Sequence, residues 1–183
     1  NYSKIGRDIG VDTKTVQFYF EILEDTLVGV LLQPYHRSIR KRQRVNPKFY
    51  LFDPGVKRAL EGTLTVDLLP GTYAFGKAFE HFIVLEIFRL NSYLRKDYQF
   101  SYLRTKDDAE IDLIIERPGK KTALIEIKST EEVREEDVST ISELQKSFTN
   151  SEAFCFSRDT HAKVLRGVQC EFWEKGIQKI GLD

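Results

Sequence analysis

Three charged residues stand inside the most apolar part of the chain. In "AEIDLIIERPGKKTALIEIKS", residues 109–129, two runs rich in Ile and Leu flank a Pro-Gly turn signal, the pattern of a β-hairpin. Asp112, Glu126 and Lys128 lie within those runs, where charge is normally excluded. Alternation puts Glu110, Asp112 and Ile114 on one face of the first strand, with Ile111, Leu113 and Ile115 on the other. In the second strand Leu124, Glu126 and Lys128 share a face, and Ile125 and Ile127 share the other. Folding about Gly119 sets Asp112 opposite Glu126 and Glu110 opposite Lys128, a register that one slip would break.

Two carboxylates so placed repel each other. At about 5 Å and an effective dielectric near 20 the cost is roughly 3 kcal/mol. Directly opposed like charges destabilise a sheet, so something must compensate. A divalent cation is the economical answer, and hard carboxylate oxygens suit Mg²⁺ or Mn²⁺. Lys128 on the same face can orient or deprotonate a water, or offset charge on a phosphate. The chemistry outlined is metal-assisted hydrolysis of a phosphodiester. The plainer reading is a solvent-facing hairpin with ordinary surface charges; three charges together inside strongly apolar strands favour a site.

Other segments must position this hairpin. "FGKAFEHFIVLEIFRLNSYL" has Phe75, Phe79, Phe82/Ile83, Glu86/Ile87 and Leu90 at helical intervals, which predicts a helix over 73–96. Glu80 is the carboxylate nearest its N-terminus. Strands are expected near 99–105, 110–116 and 122–129. "EEDVSTISELQKSF" carries Val138, Ile141, Leu144 and Phe148 on one stripe of a second helix, and "EAFCFS" and "VQCEFWE" read as closing strands. Gln145 reads as a surface residue, with a place in the site as its other reading. Arg104 meets either a phosphate or Asp107. His81 and His161 have no partner at metal-ligand spacing and read as structural; Trp173 reads as core.

"GTYAFGKA", residues 71–78, imitates a nucleotide-binding loop. Ala78 stands where a hydroxyl would hold Mg²⁺, and Tyr73 and Phe75 place bulk where backbone must wrap phosphate. No ATP site is expected in this chain.

The first part of the chain has a different character. "YSKIGRDIGVDTKTVQFYFEILEDTLVGVLL" reads as helix, tight turn, helix. Ile5 and Ile9 share a face, Gly10 ends the first helix, and Asp12 or Thr13 caps the second. Val16, Phe20, Leu23 and Leu27 keep helical spacing. This is a helix-turn-helix layout, with Lys14, Thr15, Gln17 and Tyr19 as candidate groove-facing side chains. Arg37, Arg40, Lys41, Arg42, Arg44 and Lys48 then form a basic run between strand-like segments. In a winged helix that run is the wing along the phosphate backbone. A solvated hairpin, or a helix pair used only for packing, is the alternative.

Bulk numbers fit this division. The 183 residues are 41% hydrophobic and 31% charged, ordinary for a globular protein, with zero net charge. Residues 1–66 hold 11 Lys/Arg against 7 Asp/Glu, and residues 67–183 hold 17 against 21. The basic first part points weakly to a polyanion partner. Cys155 and Cys170 lie in apolar runs and read as buried free thiols. No signal peptide is readable and the apolar runs are too short to span a bilayer, so a cytoplasmic setting is expected, without membrane contact. The chain begins "NYSKIG" and holds no Met, which reads as the C-terminal fragment of something longer.

"EIDLII…LIEIKS" resembles the PD-(D/E)XK nuclease superfamily, with Asp112 matching its aspartate and Glu126-Ile127-Lys128 its E-x-K. "GKAFEHFIVLEIF" resembles the preceding helix, with Glu80 at the extra acidic position of resolvase-like members. The order of segments is similar to the C-terminal region of a group of bacterial and archaeal AAA+-like ATPases, a region often catalogued as a domain of unknown function. The resemblance spans nearly the whole chain, although Ile111 stands where the superfamily name has Pro. It implies an α/β fold, a restriction-endonuclease-like αβββαβ core over 67–183, preceded by a winged-helix module over 1–66. It implies metal ligation by Glu80, Asp112 and Glu126 with the Ile127 carbonyl, and a catalytic Lys128. DNA, Mg²⁺ or Mn²⁺, and an upstream ATPase domain are the expected partners, and a homo-oligomer is among the expected assemblies. The superfamily includes non-cleaving domains, so a catalytically silent module for nucleic-acid binding or protein interaction is the alternative to a nuclease.

Overall fold

In the computed structural model, which describes residues 1–35 and 46–183, the Pro-Gly segment forms the expected tight turn. The Lys120 amide bonds to the Arg117 carbonyl at 3.1 Å, and Gly119 takes a φ of 71° that side chains resist. On either side run β4 (Glu110–Glu116) and β5 (Thr122–Ile127). Their pairs, Leu113↔Ile125, Ile114↔Leu124 and Ile115↔Ala123, have the register read from the sequence.

This hairpin sits mid-sheet. β3 (Gln99–Arg104) pairs antiparallel with β4, and β6 (Ser151–Ser157) pairs parallel with β5. β8 (Val168–Phe172) lies parallel to β6, and the short β7 (Lys163–Leu165) closes that edge. On the other side β1 (Gly29–Pro34) joins β3 in parallel, and β2 (Lys48–Leu51) pairs antiparallel with β1. The order over the described residues is β2-β1-β3-β4-β5-β6-β8-β7, a mixed sheet of eight strands in an α/β architecture. The first part of the chain therefore extends the sheet, which its sequence does not announce.

Helices cover both faces. α4 (Tyr73–Tyr93) and the terminal α6 (Trp173–Lys179) pack over Leu113, Ile115, Ile125, Ile127, Phe154 and Phe156. α5 (Glu135–Gln145) packs over Ile111, Ile114, Leu124 and Cys155. Such a two-sided cover explains why the middle strands read as nearly continuous apolar runs. Thr72 caps α4 through a bond from the Phe75 amide, so residues 73–78 of the loop-like motif are helical. The helix ends at Tyr93, three residues before its expected limit.

Strict alternation fails at one point. Ile111, expected beside Leu113 and Ile115, packs under α5 with Ile114. The cause is an extra residue on β4: Ser101 pairs with Ile114 but Leu103 pairs with Ile111, so Asp112 and Leu113 together face Tyr102. Such β-bulges re-aim side chains and cluster beside functional sites.

The helix pair forms as α1 (Tyr2–Ile9) and α2 (Thr13–Asp25). Gly10 ends α1 at φ 75°, and Asp12 caps α2 by accepting from the Lys14 and Thr15 amides. Val16 is buried and Phe20 packs edge-on against Phe49 of β2. Leu27, expected on the apolar stripe, lies beyond the helix at φ 59° and is exposed. Neither α3 (Pro54–Leu60), capped by Asp53, nor β7 and α6 are announced by the sequence. Among the described residues no helix is long and apolar enough to cross a membrane.

Candidate acidic site

The bulge delivers Asp112 to the end of the β4–β5 ladder. There its Oδ2 accepts the Ile127 amide at 2.8 Å in place of a strand partner. Burial, then the charges of Glu126 and Glu80, push the Asp112 carboxyl up to about 8. Glu126, near the end of β5, is only 8% exposed. Its Oε1 lies 2.7 Å from Lys128 Nζ, while its Oε2 is buried with no hydrogen-bond partner among the described residues. Burial raises the Glu126 carboxyl despite Lys128. For Lys128 burial is outweighed by Glu126 and Asp112, which keep the ammonium charged. β5 ends at Ile127, so Lys128 stands just past the strand.

Glu80 enters from the second turn of α4, buried like Glu126. Its Oε1 accepts from Tyr50 Oη at 2.9 Å and Lys48 Nζ at 3.3 Å, and its Oε2 from Lys77 Nζ at 2.6 Å. Burial opposes the Glu80 charge, but Lys48 and Lys77 outweigh it and hold the carboxyl low. Lys48 also contacts Glu110 Oε1 and sits 5.1 Å from the Tyr102 ring centroid. One cluster thus gathers Glu80, Glu110, Asp112 and Glu126 with Lys48, Lys77 and Lys128.

Lys48 and Tyr50 are additions to the expected set. Lys48 is the last member of the basic run in sequence, yet alternation along β2 puts it on the face of Tyr50, toward α4. Only the pairing of β1 with β3 brings that face to the site, and no local signal announces such a contact. Lys77 is legible as an i,i+3 partner of Glu80.

The other candidates among the described residues lie elsewhere. Lys14, Gln17 and Tyr19 are exposed on α2, while Thr15 spends its hydroxyl on Asp12 Oδ2 at 2.5 Å. Arg40, Lys41, Arg42 and Arg44, with Arg37, fall outside the described residues. Gln145 lines an open cleft with Lys121, Lys146 and Asn150 at the turn end of the hairpin, away from the acids. Arg104 pairs with Asp108 at 2.9 Å, not with Asp107. His81 is buried with Nε2 2.7 Å from the Leu51 carbonyl, and His161 is exposed. Trp173 opens α6 and packs edge-on to Phe82. Cys155 and Cys170 are free, buried and paired in register across β6 and β8.

Among the described residues no three His, Cys, Asp or Glu side chains are gathered tightly enough to enclose an ion. Two carboxylates suffice for Mg²⁺ where water and a phosphate complete the shell. The orphaned Oε2 of Glu126 beside Asp112, whose buried carboxyl the Ile127 amide and Lys48 offset only in part, fits that donor set, and the hard oxygens are of the right kind.

Residues 75–170 match the family described as Domain of unknown function (DUF4143). The chain belongs to the DUF4143 family. The matched segment holds Glu80, Asp112, Glu126 and Lys128, while Lys48 and Tyr50 lie in residues 1–67, which match a second Domain of unknown function (DUF8612). The acidic site of this DUF4143 chain is therefore assembled from both segments. Uncharacterized protein Mb2031c of Mycobacterium bovis and Uncharacterized protein Rv2008c of Mycobacterium tuberculosis are each 32% identical to it over 128 residues. That stretch is 70% of this chain and 28% of each relative, so the chain spans a minor part of the curated relatives it matches. No solved structure matches it.

Proposed function

We propose that this chain is a Mg²⁺-dependent phosphodiesterase module acting on DNA, the C-terminal effector part of a longer AAA+-like ATPase. The observation that carries the reading is the unpartnered, buried Oε2 of Glu126 next to Asp112, with Lys128 on the other oxygen. A PD-(D/E)XK core of this α/β chain accounts for all three residues at once. Asp112 and Glu126, with the Ile127 carbonyl, hold the ion. When bound, the ion supplies charge stabilisation for a phosphate oxygen and makes water a better nucleophile. Asp112 is kept in place by the Ile127 amide. Glu126 aligns Lys128, whose charged ammonium donates to a phosphate oxygen and binds the water that attacks. The helix pair, whose α2 exposes Lys14 and Gln17, together with the basic charge that follows it in sequence, supplies the contacts that hold the duplex.

A calorimetric Mn²⁺ titration of the wild type against Glu126→Ala tests the ion site. Binding in the first and none in the second is expected; superimposable curves overturn the reading. Nicking of plasmid DNA should vanish in Lys128→Ala while Mn²⁺ binding survives.

One observation favours a second reading. Both oxygens of Glu80 are already met by lysines, so much of the cluster is neutral without an ion. A catalytically silent module would bind DNA with a steep salt dependence, or a protein partner, and cut nothing.

A further inference from the structure

We infer that Lys48 serves as a built-in cation for Glu80 and Glu110, so that the site takes one divalent ion, on Asp112 and Glu126, and not two. The inference rests on the ion-site reading above and narrows it. Lys48 comes from β2 and contacts Glu80 Oε1 at 3.3 Å and Glu110 Oε1. Tyr50 Oη, from the same strand, also donates to Glu80 Oε1, and Lys77 takes Oε2 at 2.6 Å. An ion on Glu80 would have to expel an ammonium from a part-buried seat over the Tyr102 ring. Glu126 Oε2, by contrast, has no such ammonium to displace.

Charge counting gives the same answer. With all four carboxylates ionised, as an ion on Asp112 requires, Glu80, Glu110, Asp112 and Glu126 face Lys48, Lys77 and Lys128, which leaves one net negative charge for the ion to meet. Arg104, 4.0 Å from Glu110, is matched by Asp108. One divalent ion turns the cluster to a single positive charge, which one phosphodiester neutralises. A second would leave three positive charges packed together, with nothing among these side chains to offset them. Strand β2 is then a working part of the site and not merely an edge of the sheet.

Mn²⁺ titration calorimetry on the whole chain decides this, with Glu80→Gln, Lys48→Met and the double variant. The wild type should bind one ion, and Glu80→Gln should keep that stoichiometry with Kd within about threefold, under 1 kcal/mol. Lys48→Met should admit a second ion, and adding Glu80→Gln should remove it again. Two ions in the wild type, or a weakening of about tenfold or more in Glu80→Gln, overturns the inference alone. A wild type that binds no Mn²⁺ overturns the ion site itself, and this inference with it. If Lys48→Met does not fold, the wild-type stoichiometry and the Glu80→Gln affinity still decide. An ion-free readout accompanies these: thermal midpoints should couple, with the double variant more stable than Lys48→Met. Additive midpoints overturn the Lys48–Glu80 link.

Discussion

The Asp112 carboxylate accepts the backbone N–H of Ile127 at 2.8 Å, at the point where β4 and β5 cease to pair. A side chain takes the place of a ladder partner, and this fixes an acidic group that its surroundings would otherwise expel.

That placement sets a pH dependence. Asp112 is raised to about 8 by burial and by Glu126 and Glu80, against roughly 3.9 when unfolded. Between those values the folded protein keeps a proton that the unfolded chain releases. The stabilising contribution is full below about pH 4 and is lost as pH rises through about 8, at up to ~1.4 kcal/mol per pH unit. Glu126, also raised, adds the same sign, whereas Glu80, held low, loses its contribution only in acid. Asp112→Asn keeps an acceptor for Ile127 and removes the titration. Urea unfolding of ion-free protein from pH 5 to 8 should slope downward in the wild type and less steeply in Asp112→Asn, where Glu126 alone still contributes; equal slopes would contradict the assignment.

An ion that relieves the same repulsion must stabilise the fold. At a free concentration of 100 times Kd the gain is about 2.7 kcal/mol. For a chain of this length that raises Tm by about 5–10 °C. Scanning calorimetry with and without Mn²⁺ should show the shift in the wild type and lose it in Glu126→Ala.

The hairpin was legible because three signals agreed: two apolar runs, a Pro-Gly turn between them, and a register centred on Gly119. That register singled out Asp112, Glu126 and Lys128 as candidates, although the observed ladder ends at Leu113↔Ile125, one step short of setting Asp112 opposite Glu126. Two things were hidden. The bulge at Asp112–Leu113 depends on how β3 meets β4, which leaves no mark on either strand alone. Lys48 reaches the cluster through the parallel pairing of β1 with β3, between segments far apart on the chain. In the sequence it continues a basic run, and charge composition alone assigns it to that run.

The terminal helix offers a test of packing independent of the site. Gly176 in α6 lies against the fully buried Phe156 ring, and a Cβ there would overlap the ring. Neither partner can retreat, because Phe156 is locked between its strand and the helix. Gly176→Ala should therefore cost about 1–3 kcal/mol, despite the better helix propensity of Ala. Denaturant midpoints would show this, and a stabilised variant would mean that α6 is not seated on β6 as described.

The basic segment should determine how binding responds to salt. Removing one cation that neutralises a phosphate lowers the slope of log K against log[salt] by about 0.9 on duplex DNA. Replacing Arg40, Lys41, Arg42 and Arg44 together by Ala should thus reduce the slope by about 3–4. Lys14→Ala, on the exposed face of α2, should reduce it by about 1. Fluorescence anisotropy with a short duplex at several salt concentrations measures both. Lys14→Ala should leave Mn²⁺ binding untouched, because Lys14 lies on the exposed face of α2. If the slopes stay at the wild-type value, this segment does not touch the phosphate backbone and the first part of the chain serves packing alone.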